Sequence, residues 1–191
     1  MRDRAASLFP LVMLILLAAL TFWLNRLIQA DNPRGPARHD PDYWVERFQV
    51  RRFDTDGHLQ HTLVAERLQH HPDDDTSVVS APRLTYHQMP PTHVSANMAY
   101  IGADGKEVDL VGDVRVVRQA RDAGGAPTVM ATRMLKAFPD DERGYSNDPV
   151  VITQGRSVIN GTGLQVDNRT GITVLRGRVT GTLHRNQGNT P

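Results

Sequence analysis

Hydrophobic and polar positions divide the chain into two regimes. Leu8 to Leu24 reads LFPLVMLILLAALTFWL, seventeen residues without a formal charge, and Ala5, Ala6 and Ser7 extend the uncharged run to twenty. At a helical rise of about 1.5 Å per residue, about twenty residues cross a hydrocarbon core about 30 Å thick. In lipid a helix satisfies the backbone of such a segment internally. The run therefore predicts a transmembrane helix over 8–28, after a short N-terminus at 1–7. Pro10 falls in the first turn of the segment, where a missing N–H costs little, and Trp23 suits the far water–lipid boundary. The rival is a cleaved signal peptide with Arg2 and Arg4 as its basic start. The apolar run exceeds the usual length of about 7–15 residues, and bulky Phe22, Trp23 and Leu24 stand where small residues are wanted, which favours an uncleaved anchor. Arg2 and Arg4 face Arg26, Arg34 and Arg38, so basic residues do not decide the orientation. A short N-terminus inside and an exported domain is the default adopted.

Residues 29–41, rich in proline, read as a linker. From residue 42 to 185 the pattern changes to short alternating runs bounded by Asp-Gly, Gly-Gly, Asn-Gly or Pro, and 186–191 is a polar tail. Tyr43 to Phe53 and Leu59 to Leu68 predict a hairpin about Asp54-Thr55-Asp56-Gly57, with Leu59, His61, Leu63 and Ala65 on one face. Further strands are expected at Val78 to Tyr86, Met98 to Ile101, Glu107 to Val117 and Thr128 to Phe138, the last with helical spacing as its rival. Val150 to Thr153, Ser157 to Ile159, Leu164 to Val166 and Ile172 to Leu183 complete the series, with Asn160-Gly161-Thr162-Gly163 as a turn between strands. Val108, Leu110, Val114 and Val116 share a face with Gly112, and a glycine inside a strand marks a bulge, a bend or a close approach. Leu110-Val111-Gly112-Asp113-Val114 and Leu175-Arg176-Gly177-Arg178-Val179 repeat the form L-x-G-x-V. No long amphipathic helix follows residue 30. The domain is all-β and antiparallel: a sandwich, jelly roll or open barrel.

Charge changes this picture little. The chain carries 22 Lys+Arg against 21 Asp+Glu, and that balance argues against nucleic acid as a partner. With no cysteine, disulfides and thiol chemistry are excluded. His70, His71, Asp73, Asp74 and Asp75 form the most metal-like cluster, but Pro72 breaks the run and adjacent carboxylates suit a solvated turn, so no metal is assigned. His58 and His61 read as surface histidines on a strand. No nucleophile elbow or phosphate loop is present, and the Asp140-Asp141 pair shows nothing beyond loop polarity, so no catalytic residue or cofactor is assigned and the chain reads as no enzyme.

The order of several stretches resembles the LptC family of lipopolysaccharide-export proteins. They are Pro41-Asp42-Tyr43-Trp44 with Phe48, Phe53-Asp54-x-x-Gly57, Leu63-x-Ala65-x-x-Leu68 leading to His71-Pro72-Asp73-Asp74-Asp75-Thr76, Pro82, Leu110-x-Gly112-Asp113-Val114, Asp148-Pro149-Val150, Gly161-x-Gly163 and Asp167. The short polar tail after Leu183 departs from the pattern. The resemblance implies an open β-jelly-roll in the periplasm, behind a single-pass inner-membrane helix with its N-terminus in the cytoplasm. Its interior would shield the acyl chains of lipid A, with Phe48, Leu63, Leu84, Val114, Leu135, Ile152, Leu164 and Val179 as lining residues. The strand from Tyr43 to Val50 would be the edge receiving lipopolysaccharide from LptF/LptG with the LptB ATPase. The strand carrying Ile172, Val174 and Leu183 would pair with the bridge protein LptA. Gly57, Gly112, Gly161, Gly163 and Gly177 would permit turns and bends. Two alternatives stand beside this: a membrane-anchored β-sandwich scaffold binding only proteins, and a secreted hydrolase.

Overall fold

The computed structural model describes residues 3–30, 39–122 and 124–184; within the helix, side chains are described from 12 to 26. Most of the expected linker and the expected tail lie outside the described residues. The chain divides into two compact units, Met1–Arg38 and His39–Pro191.

The first unit holds one helix, α1 (Asp3–Ala30). It starts five residues ahead of the expected span, so Pro10 lies about two turns inside it rather than in its first turn. The cost of that position is one backbone hydrogen bond, since proline has no N–H for the carbonyl four residues before it. From Val12 to Leu24 every large apolar side chain is exposed, the least of them Leu24 at 46%.

The second unit is a single antiparallel sheet of twelve strands among the described residues. They are β1 (Tyr43–Phe53), β2 (Leu59–His71), β3 (Thr76–Ser80), β4 (Arg83–Tyr86), β5 (Thr92–Ser95), β6 (Met98–Ile101), β7 (Val108–Arg118), β8 (Thr128–Phe138), β9 (Arg143–Gln154), β10 (Ser157–Asp167), β11 (Ile172–Leu175) and β12 (Thr180–Thr182). The expected hairpin is present. Asp54 accepts hydrogen bonds from the backbone N–H groups of Asp56 and His58 at 2.9 and 2.7 Å, and Gly57 takes φ +85° with open space around it. Asp54 is thereby held below the usual carboxylate range, chiefly by the His58 N–H.

The strands bend midway, and the bends answer one another. β2 receives β3 on residues 67–71 and β4 on residues 61–64. β7 likewise receives β6 on 108–111 and β5 on 115–118. The expected strand Val78 to Tyr86 is thus two strands, parted at Ala81 with φ +49°. The Ala81 N–H donates to Asn97 O and the Asn97 N–H to Gly112 O, each at 2.8 Å. These bonds tie the bends into a line across the sheet. Register slips in β8 between Thr132 and Lys136 and in β10 between Thr162 and Leu164 continue it. At the far end β11 and β12 part about Gly177, φ +78°. The sheet therefore folds across its strands into two tiers. One holds β3, β6, β11 and one half of each long strand; the other holds β4, β5, β12 and the other halves. This is the folded-over arrangement of a jelly roll.

Gly112 shows why the bend needs its residue. Its φ is +79°, and a Cβ there would stand 2.7 Å from Asn97 Nδ2. Both the backbone and the close approach exclude a side chain. The two L-x-G-x-V runs carry this device at Gly112 and Gly177. The expectation of a turn at Asn160-Gly161-Thr162-Gly163 is corrected: these residues lie inside β10. Gly161 and Gly163 serve close packing there. A Cβ on Gly161 would meet Leu175 at 3.3 Å.

Val79, Val114, Val150 and Leu164 are under 2% exposed and form the centre with Ala65, Ala96, Ala99, Leu110, Met130 and Leu135. Burying each Val or Leu contributes about 1.5–3 kcal/mol. The buried hydroxyls of Thr132 and Ser146 stand 3.2 Å apart. Thr132 Oγ1 lies 3.1 Å from Pro149 O, and the Asp148 N–H donates to Ser146 Oγ at 3.1 Å. These bonds satisfy polar groups that the irregularities of β8 and β9 bring inside.

Candidate functional site

Because directly opposed residues on neighbouring strands point to the same face, register converts single apolar positions into rows. In one tier Val50 stands opposite Leu63, Leu63 opposite Leu84, and Leu84 opposite Val94. The row continues through Val116, Met130, Ile152 and Ile159. In the other tier Val45 faces Leu68, then Val79, Ala99, Leu110 and Leu135. Past the irregularity of β8, Ser146 faces Leu164 and Leu164 faces Leu175. Both rows lie on the inner face, since their middle members belong to the core or pack against it. They run perpendicular to the strands, from β1 to the far end of the sheet.

Most of the lining residues expected from sequence fall on this face. Val114, Leu135 and Leu164 are buried, at 0%, 7% and 1% exposed, and Phe48 and Ile152 pack against them. Leu63 and Leu84 are half-buried cross-strand partners. Val179 stands apart. The bend at Gly177 takes it out of strand, between β11 and β12, and it is 47% exposed. Val94, Val116, Met130 and Leu68 belong to the same rows, and strand alternation is the signal that marks them.

His61 shares the inner face with Leu63 and is half-buried, not a surface residue; desolvation holds its pKa below the ordinary value, with Arg52 adding to the effect. Its ring meets that of Tyr86, centroids 5.7 Å apart, and burial raises the Tyr86 pKa. His58 precedes β2 and is exposed. The cluster at 70–75 forms the expected turn and splits in two. His70 bonds Asp42 through Nδ1 at 2.8 Å and Asp75 through Nε2 at 2.9 Å, and these carboxylates, Asp42 first, raise its pKa. His71 turns the other way and stacks on His39, with ring centroids 4.0 Å apart.

Both ends of the sheet are open. β1 pairs only with β2, and β11 and β12 pair only with β10, among the described residues. Tyr43 and Val50 on β1, Ile172 and Val174 on β11, and Leu183 beyond β12 are exposed. Arg47, with φ +47°, interrupts β1 between the pairs Glu46–Arg67 and Phe48–Ala65, so this edge has one segment in each tier. The other edge also reaches both tiers, but as two separate strands, β11 and β12.

Among the described residues, no helix is long and apolar enough to cross a membrane. The helical side chains described span 12–26.

No curated protein sequence matches the chain. Among solved structures the chain is similar to LptH of Pseudomonas aeruginosa, the LptA-homologous periplasmic component of the lipopolysaccharide transport device. The identity is 13% and the TM-score 0.48, over 79% of this chain and 100% of that one. The family profile described as lipopolysaccharide-assembly, LptC-related, matches residues 11–184, and the chain belongs to that family.

Proposed function

We propose that this chain carries lipopolysaccharide between the inner and outer membranes. In this reading it takes the lipid from LptF/LptG with the LptB ATPase at the β1 edge. It shields the acyl chains between the two tiers and releases them to LptA at the edge made by β11 and β12. The observation that supports this best is the pair of inner apolar rows, which lead from one free edge towards the other. Apolar cover is worth about 0.8 kcal/mol per buried methylene, so a row that offers it at each strand holds an acyl chain without chemistry at any residue. The work is binding and transfer, and no nucleophile or cofactor enters it. The uncharged run Leu8 to Leu24 would hold the domain at the inner membrane as a single pass, with its N-terminal side in the cytoplasm and the β domain in the periplasm.

The tight packing about Val79, Val114, Val150 and Leu164 favours a second reading, a membrane-anchored scaffold whose interior is filled by its own side chains. Photocrosslinking side chains at Leu63 and Val94, on an inner row, and at Val64 and Met134, both exposed, separate the two. In cells exporting lipopolysaccharide, the carrier gives adducts at Leu63 and Val94 that the exposed positions lack. Adducts at neither inner position, with export intact, leave the scaffold.

A further inference from the structure

We propose that His39, His71 and Asp73 form a site for a divalent cation of the zinc class, which clasps the chain just ahead of β1 to the turn between β2 and β3. One ligand atom from each residue lies within 4.8 Å of the others. The neighbouring polar groups are already engaged. Both ring nitrogens of His70 are bonded to Asp42 and Asp75, and Asp74 Oδ1 accepts from the Thr76 N–H at 3.2 Å and the Thr76 hydroxyl at 2.6 Å. The remaining set is two imidazoles and one carboxylate, of which His39 and Asp73 pair with each other and His71 is left over.

His71 carries the inference beyond a surface cluster. It is 8% exposed, and its Nδ1 is buried without a hydrogen-bond partner. An unpaired ring nitrogen in that position is costly unless something occupies it. His39 reaches over the same place from the other side, with Nδ1 2.9 Å from Asp73 Oδ2. Two imidazoles and a carboxylate suit zinc and its neighbours rather than magnesium or calcium, with water in the fourth position. Zinc–nitrogen bonds of about 2.0–2.1 Å in a tetrahedron set ligand atoms roughly 3.3 Å apart. An imidazole nitrogen holds a metal in the plane of its ring, and the two rings are stacked with 3° between their planes, so the His39 side chain, 57% exposed, has to swing out of the stack and exchange its bond to Asp73 for the ion. A bound ion would fix residue 39 four residues ahead of the free edge of β1.

The test uses the full chain in detergent, stripped with a chelator and titrated with zinc against a chromophoric competitor. One equivalent binds per chain, and His39→Ala and Asp73→Ala each weaken binding at least tenfold. His58→Ala, in the exposed group Asp54, Asp56 and His58, leaves it unchanged. His39→Ala is the decisive variant, because it removes an exposed side chain while buried His71 stays in place. No stoichiometric binding at micromolar zinc overturns the site, and so does binding that persists in His39→Ala.

Discussion

The two free edges of the sheet are built differently. At the N-terminal edge β1 is one run of 11 residues, lying along β2 from Tyr43–His70 to Phe53–Leu59. At the C-terminal edge the outer strand is cut into β11 of 4 residues and β12 of 3, with a stretch out of strand about Gly177 between them. Burial also differs between an edge strand and the strand one place in. Leu164, beneath β11, is 1% exposed, whereas Phe48 on β1 is only partly buried. Edge order and core packing are therefore separate properties here, and each has its own measurement.

The largest effect tests the packing. Leu164→Ala is expected to cost about 2–5 kcal/mol in urea unfolding, from lost transfer free energy and the cavity left beside Leu175. Phe48→Ala is expected to cost roughly half that, because part of its ring is already in water. The opposite order breaks the comparison. A middle-sized effect tests the edges themselves: in hydrogen exchange, amides of β12 exchange before those of β1, as expected of a three-residue strand with one neighbour. Equal protection removes the distinction.

The smallest effect comes from the turns. Asp54 lies in the turn after β1. Asp167 lies in the turn before β11 and accepts the Thr170 N–H at 3.0 Å; backbone hydrogen bonds lower the pKa of both. A carboxylate lowered on folding contributes stability that is fully present above its unfolded value of about 3.8, and that is lost as pH falls through the folded value. Wild-type protein therefore loses stability as pH falls from about 5 to about 3 and on through the lowered folded values of these groups. Asp54→Ala and Asp167→Ala lose less over that interval in urea midpoints. An unchanged pH dependence in both variants removes these turns from the acid response.

Alternation and turn chemistry made much of this legible in the sequence. Asp54 to Gly57 announced its hairpin, and the period of two in a strand put Leu63 on one face with His61 and Ala65, and Val114 on one face with Leu110 and Val116. The bends were not legible where the residue is not glycine. Ala81 takes φ +49°, a conformation that nothing local favours, and Asp113 takes +45°, which an aspartate tolerates without announcing it. They are imposed by the hydrogen bonds joining Ala81, Asn97 and Gly112, partners remote in sequence. The same reason explains Val179. Its motif matches that around Val114, but Gly177 stands at a free edge with no further strand to hold the chain after it. β5 went unread because Thr92-His93-Val94-Ser95 offers a single apolar residue. His39 was absent from the metal-like cluster because it reaches His71 from the proline-rich stretch ahead of β1.

Arg47 gives the N-terminal edge an index mark. A strand laid along β1 finds two straight lengths, 43–46 and 48–53, offset at one non-glycine residue with positive φ. A partner strand in register on both lengths has to turn at the same level. Sliding it by a pair of residues leaves one length matched and the other crossed. Were a partner strand to join this edge, the kink would act as a keyway, setting its axial alignment so that the apolar row beginning at Val50 met its continuation rather than a gap.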